Sequence, residues 1–195
     1  MDQKIEAEIV ARVLKGDRQA YALLVEEYKS PIYNLAYRMT KNLEDAEDLA
    51  QETFLRAYNQ LSRYDTKRSF HTWLYTISLN LIRNHLKKIN RHRQADFRRG
   101  AVANGVVDSD GIQAVLHEFP DGDESRKERE EELESCLQEL APELHELLVL
   151  RFYQSLSFEA ISEITGLSPS AIKMRVYRGL EKLRKCIGKD VTSGG

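Results

Sequence analysis

The sequence is short of helix breakers, of cysteine and of long apolar runs. Between Gly16 and Gly100 there is no glycine, and Pro31 is the only proline. From Asp123 to Thr165 glycine is absent again, and Pro142 is the only proline. Stretches of this length, rich in Leu, Ala, Glu, Lys and Arg, predict helices. No strand-period run with hairpin punctuation and no internal repeat stands out. The two cysteines, Cys136 and Cys186, form neither a C-x-x-C nor a short-spaced framework. That argues against a secreted disulfide scaffold or a zinc ribbon, and the expectation is two ordinary reduced thiols. No segment approaches the roughly 18 apolar residues of a membrane helix. The opening MDQKIEAEIVARVLKGD mixes acids among its apolar residues and does not read as a signal peptide. A soluble, cytoplasmic protein without membrane insertion is expected. Enzyme signatures are missing as well. The five histidines are scattered, with no H-E-x-x-H, G-x-S-x-G or P-loop. No catalytic residue, metal or cofactor is expected.

What is present is enough apolar residue for a core and an uneven distribution of charge. The 195 residues are 42% hydrophobic, and 29 basic residues face 31 acidic ones for a net charge of -2. A disordered chain and a uniformly basic nucleic-acid coat are both excluded. Four of the ten glycines and Pro120 fall within 97–127, which reads as a flexible linker. The predicted organisation is all-α: a helical domain over 1–96, the linker over 97–127 and a second helical domain over 128–190. Helices are expected near Lys4–Lys15, Arg18–Thr40 (continuing through Pro31, with a kink or break there as the alternative), Asn42–Leu61 and Ser69–Ile89. In the second domain they are expected near Ser125–Glu139, Pro142–Tyr153, Ser157–Thr165 and Ser168–Ile187.

Charge alternates along this plan. Asn42–Leu55 has five acids and no base, and Arg83–Arg99 has seven bases against Asp96. Glu118–Glu146 has twelve acids to three bases, and Lys173–Lys189 has seven bases against Glu181. One basic helix is commonly a solvated face; two, on separate helical domains, point to a tandem nucleic-acid binder. The acidic stretch is expected to keep the free protein off DNA.

The most specific local pattern is SLSFEAISEITGLSPSAIKMRVYRGLEKLRK. Ser157–Thr165 should bury Ile161 and Ile164, and Gly166 should end the helix in a left-handed conformation. Ser168 is placed to cap the next helix, with Pro169 at its first position. That helix aligns Ile172, Val176, Leu180, Leu183 and Ile187 on one stripe, with Met174, Arg178 and Lys185 opposite and Lys173 and Arg175 on the flanks. A short helix, a turn containing glycine and a longer basic helix is the helix-turn-helix arrangement, expected over about 157–176 and the turn that follows.

Two further helices carry patterns. Over Asn42–Leu61 an apolar stripe runs through Leu43, Ala46, Ala50, Phe54, Ala57 and Leu61, while Asp48, Gln51, Glu52 and Leu55 share another face. Leu55 there is either packed by a neighbouring helix or the apolar anchor of a docking surface for a basic partner. In SFHTWLYTISLNLIRNHLKK the core stripe is Phe70, Leu74, Ile77 and Leu81. Trp73 lies at its edge beside Thr76, Asn80, Arg83, Asn84 and Lys87. Thr and Asn hydrogen-bond base edges, an aromatic ring stacks on an unpaired base, and Arg and Lys take phosphates. Trp73 as plain core is the competing reading. The polar, basic Ser62–Arg68 suits wrapping a nucleotide.

These residues together resemble a bacterial sigma factor of the sigma-70 family, extracytoplasmic-function (ECF) group. DAEDLAQETFLRAY resembles the family's core-polymerase-binding helix. Phe70, Trp73, Leu74, Ile77 and Asn80 resemble its strand-separation and −10 segment. Lys173, Arg175 and Arg178 resemble its −35 reader. The resemblance implies that 1–96 is sigma region 2 and 128–190 sigma region 4. It implies polymerase binding by Asp48, Leu49, Gln51, Glu52, Phe54, Leu55 and Tyr58. It implies −10 DNA contact by Tyr64, Lys67, Arg68, Trp73, Thr76, Asn80, Arg83, Asn84 and Lys87. It implies −35 contact by Ser168, Ser170, Lys173, Met174, Arg175, Tyr177 and Arg178. The implied partners are promoter DNA, core RNA polymerase (the clamp of its largest subunit and the flap of its second-largest) and a regulatory anti-sigma factor. Asn84, Lys87, Ser78, Ala171 and Met174 depart from the family's commoner Asp, Arg, Ala, Thr and Ser, which puts the promoter preference in question rather than the role. A LuxR-type or response-regulator-like protein would share the C-terminal module but needs a receiver or ligand pocket upstream. A pure adaptor would not need two basic blocks.

Overall fold

The computed structural model describes residues 1–66, 68–96 and 132–187, with the side chains of 90 and 92–96 excepted. The predicted linker, the start of the Ser125–Glu139 helix, Arg98, Arg99 and Lys67 lie outside the described residues, as does the side chain of Arg93. The chain divides into two compact units, Met1–Asn104 and Gly105–Gly195. All regular structure among the described residues is helical, and no helix there is long and apolar enough to cross a membrane.

In the first unit α1 spans Gln3–Leu14, α2 Tyr21–Thr40, α3 Leu43–Gln60 and α4 Phe70–Asp96, with single 3-10 turns at Arg18–Ala20 and Leu61–Arg63. Local chemistry sets the ends. Asp2 accepts from the Lys4 N–H at 2.8 Å to cap α1, and Asp17 accepts from the Ala20 N–H at 3.2 Å. Gly16, at φ 104, turns the chain between them. Asn42 caps α3 through the Asp45 N–H at 3.0 Å. As expected, α2 continues through Pro31 to Thr40, and it is not broken there. Proline removes one backbone bond, but Leu24, Tyr28, Ile32 and Leu35 are buried on both sides of it and hold the helix in place. The core joins Val10, Leu24, Leu35, Phe70, Leu74 and Ile82. α3 contributes Ala46, Ala50 and Ala57, whose size lets α2 and α3 approach closely. Leu43, placed on that stripe by periodicity, is instead 62% exposed. It is the first residue of α3 and lies beyond the end of the packed face.

Two residues of this unit are packed against their own preference. Ser78 is fully buried, and its hydroxyl has no hydrogen-bond partner. Ser78→Ala removes that desolvated group and improves helix propensity, so urea denaturation should show a gain of about 1 kcal/mol. Lys41 ends α2 in the left-handed conformation (φ 56), with its ammonium 5.9 Å from the centre of the Tyr37 ring. Burial, helped by the Arg38 charge, lowers its pKa to about 8. Above about pH 8 the folded state therefore sheds a proton that the unfolded chain keeps up to its ordinary value of 10.5. Stability contributed by this residue should rise with pH across that window. The difference in urea midpoint between wild type and Lys41→Met, followed from pH 7 to pH 9.5, reads this effect alone.

In the second unit α5 covers 132–138, α6 Pro142–Leu148, α7 Phe158–Thr165 and α8 Pro169–Ile187. The expected single helix to Tyr153 is not uniform: Val149–Tyr153 widens into a π turn. Ser155 then takes φ 51, and Arg151 Nη1 donates to the Leu156 carbonyl at 2.7 Å. The core is built from Leu133, Leu137, Leu147, Leu148, Ile161, Ile172, Val176 and Leu183. Gly179 has no side chain for a reason: a Cβ there would stand 3.1 Å from Leu148 Cδ1. The cysteine expectation is overturned. Cys136 on α5 and Cys186 in the last turn of α8 form a disulfide that closes a 50-residue separation. Only the fold brings the two together, so no spacing rule in the sequence could have paired them.

Candidate functional site

The acidic face of α3 presents Asp48, Gln51 and Leu55 to solvent, with Leu55 61% exposed. The packed-leucine alternative therefore does not apply within this unit. Glu52 is half-buried and pairs with Arg56 at 2.7 Å, one helical turn on. Tyr58 is at the edge of exposure, its ring 5.0 Å from Tyr21. Leu49 and Phe54, assigned to the same surface, are buried in the unit's core. They back the face rather than form it. Tyr21 donates to the Phe54 carbonyl at 2.8 Å, and burial raises the Tyr21 pKa. Beside this face an open groove of about 550 Å³ runs between α2 and α3. Its lining includes Val25, Lys29, Tyr33, Asn34, Gln51 and Phe54. The sequence reading named only the α3 face; the α2 wall of this groove, with Lys29 and Tyr33 one helical turn apart, was not part of it.

At the other end of α3 the chain enters the loop 64–69. Tyr64, expected to meet DNA, is turned inward and buried. Its hydroxyl donates to the Arg68 carbonyl at 2.5 Å. Its ring stands 5.5 Å from Phe70 and 5.1 Å from Trp73. Burial, with the charges of Glu6 and Asp65, pushes its pKa up to about 12. Tyr64 thus shapes the loop from inside while Arg68 stays exposed. Along α4, Trp73, Thr76 and Arg83 are half-buried and Asn80, Asn84 and Lys87 exposed. The Thr76 hydroxyl donates to the Thr72 carbonyl at 2.8 Å, so it can meet a base only as an acceptor, through its lone pairs. The stripe of Phe70, Leu74, Ile77 and Leu81 is buried as its spacing required.

In the second unit α7, Gly166 and α8 form the helix-turn-helix. Ser157 caps α7 through the Ala160 N–H at 3.1 Å, and Gly166 takes φ 74. Ser168 accepts from the Ala171 N–H at 3.3 Å, which engages its side chain in capping α8. Ser170, Lys173, Met174, Tyr177 and Arg178 are exposed, Tyr177 to 69%, and Arg175 is half-buried. The Lys173 ammonium lies 5.4 Å from the Phe158 ring centre, and the Arg151 guanidinium lies 4.9 Å from the same ring. Phe158 therefore orients two cations. The sequence signalled it only as an aromatic residue beside a helix cap.

Comparison with known proteins divides the chain at the same two regions. The family profile described as Sigma-70 region 2 matches residues 24–92, and that described as Sigma-70, region 4 matches residues 130–183. The chain is 33% identical over 186 residues to the ECF RNA polymerase sigma factor SigW of Bacillus subtilis, covering 90% of this chain and 93% of that one. It is 31% identical over 188 residues to the RNA polymerase sigma-H factor of Pseudomonas aeruginosa, covering 96% of each. In fold it is similar to CnrH, solved in complex with the cytosolic domain of CnrY, at TM-score 0.66 and 23% identity over 97% of this chain and 98% of that one. It is likewise similar to RpoE of Bartonella quintana, solved with the anti-sigma factor NepR, at TM-score 0.67 and 19% identity over 87% of this chain and 98% of that one.

Proposed function

Since the chain belongs to the sigma-70 family, in its extracytoplasmic-function group, and directs promoter-specific initiation as those non-enzymatic factors do, we propose the following division of labour. Residues 1–96 bind core polymerase and open the −10 element, 128–190 read the −35 element, and 97–127 tether them. The exposed face of Asp48, Gln51, Glu52, Leu55 and Tyr58 meets the clamp of the largest subunit, and the second domain meets the flap of the second-largest. Trp73, Asn80, Asn84, Arg83, Lys87 and the loop with Arg68 and Lys67 receive unpaired bases and their phosphates. Extruding a base costs a few kcal/mol, offset by stacking and hydrogen bonding in the protein. Ser170, Lys173, Met174, Arg175, Tyr177 and Arg178 enter the major groove, where Arg reads guanine and Lys neutralises phosphate. The protein acts in the cytoplasm, and an anti-sigma factor covers one or both units until released. What supports that control is a protein of like fold, RpoE of Bartonella quintana, solved with the anti-sigma factor NepR.

The observation that carries this reading is the pairing, on one chain, of an exposed leucine ringed by acids with a capped helix-turn-helix whose outer face is basic. Transcription in vitro with core polymerase, from a promoter mapped by sequencing transcript 5′ ends after overexpression, tests it. A promoter-specific start that needs the chain, and is lost on Arg178→Ala, is expected. Unspecific starts alone, with and without the chain, would sink the reading.

A further inference from the structure

A buried carboxyl group ties α1 to the loop that receives the bases. Glu6, on α1, is 1% exposed. One of its oxygens accepts from the Tyr28 hydroxyl of α2, and the other accepts from the Phe70 N–H at 3.1 Å. Phe70 is the first residue of α4, so its N–H is one of the four amides that a helix start leaves without a backbone partner. Such amides are ordinarily capped by a side chain just upstream. Here the cap arrives from 64 residues away in the sequence. Three helices therefore meet on a single side chain.

Beside that bond, the loop and the first turn of α4 are tied together. The Ser69 carbonyl accepts from the Trp73 N–H at 3.3 Å and from the Thr72 hydroxyl at 3.1 Å. Tyr64 holds the other end of the loop by donating to the Arg68 carbonyl and packs its ring against both Phe70 and Trp73. These bonds tie Tyr64, Arg68 and Ser69 to the start of α4, and the Phe70 amide itself is held by Glu6 from outside the loop. The family profile for the first region begins at residue 24, so this contact is supplied by a helix that precedes the matched segment.

We propose that Glu6 is a positioning residue for base capture: through the Phe70 amide it fixes the start of α4, and with it the Trp73 indole and the loop 64–69, in the geometry that receives unpaired bases. The proposal rests on the assignment of Trp73 and Asn80 to the −10 element made above. A group acting this way changes affinity for a single strand without touching nucleic acid, and leaves polymerase docking on the far face of α3 intact.

The test uses the full chain assembled with core polymerase and a short fluorescent single strand carrying the −10 sequence of a mapped promoter. Glu6→Ala should weaken single-strand binding about tenfold, comparable to losing one base stack, with affinity for core polymerase within about twofold of wild type. Glu6→Gln keeps an acceptor oxygen for the Phe70 amide and should restore most of the loss. Where Glu6→Ala fails to fold, Tyr28→Phe frees Glu6 from α2 while keeping the ring, and a weakening of severalfold is expected. A lower melting temperature with unchanged single-strand affinity, measured well below melting, would make Glu6 merely structural and overturn the proposal. Trp73→Ala and Asn80→Ala separate the two ideas. If they weaken binding and the Glu6 variants do not, only the Glu6 role is lost. If none of them does, the base-capture assignment falls and takes this proposal with it.

Discussion

Reducing the Cys136–Cys186 disulfide should unfold much of the second unit at temperatures where the first remains intact. The bridge joins α5 to the last turn of α8 across 50 residues. Opening a loop of that size restores about 4 kcal/mol of chain entropy to the unfolded state. A domain of about 60 residues has a total stability of roughly 3–9 kcal/mol, so the loss is comparable to the whole. At about 4–8 °C per kcal/mol for so small a domain, melting should fall by roughly 15–30 °C. The core offers little to compensate, since it rests on short helices such as α6 and α7 around Leu148, Ile161 and Ile172. Hydrogen exchange on the full chain localises the effect: protection of α7 and α8 should drop on reduction while that of α2 and α3 holds. Cys136→Ser with Cys186→Ser should reproduce the reduced protein without reductant. Alkylation of two thiols per chain with unchanged protection of α7 and α8 would contradict the expectation. Cys136 is buried and Cys186 half-buried, so a reductant meets the Cys186 sulfur first. Under reducing conditions the two thiols stay free, and DNA binding through α8 should then depend on how the chain was prepared.

Reading the sequence succeeded where structure is local. Ser157, Gly166, Ser168 and Pro169 each act within one turn, and the helix-turn-helix they bound is the one the pattern required. The stripe Phe70-Leu74-Ile77-Leu81 and, in α8, Ile172, Val176 and Leu183 are buried because helical spacing puts them on one side, while Leu180 and Ile187 of the same stripe are half-buried. The failures share a different cause. Tyr64 looked like a nucleotide-facing aromatic in a polar loop, but Phe70 and Trp73 from the next helix draw it inward. The disulfide and the Glu6 cap each join residues 50 or more apart in the chain, so neither has a sequence spacing to be read. Phe158 falls between the two: its position was visible, but its role depends on Arg151 and Lys173 arriving from different helices.

Reversing the charge of the α3 face should abolish assembly with core polymerase while leaving the fold in place. Asp48 is exposed, and Glu52 pairs with Arg56 on the same helix. An exposed pair of that spacing is worth about 0.3–0.5 kcal/mol, so Glu52→Arg costs the domain little. Both acids also lie beyond the first turn of α3, where Glu44 and Asp45 already complement the helix dipole. The binding side is different in scale. Bringing a like charge against a basic partner costs several kcal/mol at an interface, and two such reversals should weaken binding by at least about 100-fold, equivalent to about 2.7 kcal/mol. Leu55→Ala acts through another force. It removes the apolar anchor, 61% exposed in the free chain, and a centrally buried anchor contributes about 2 kcal/mol or more. The charge variant should therefore respond strongly to salt and the leucine variant weakly, since screening acts on charges alone. Titration of labelled core polymerase at two salt concentrations distinguishes them, with melting temperature as the control for folding. Wild-type affinity in Asp48→Arg/Glu52→Arg would move the docking surface off α3, leaving the groove against α2, with Lys29 and Tyr33, as the place to look next.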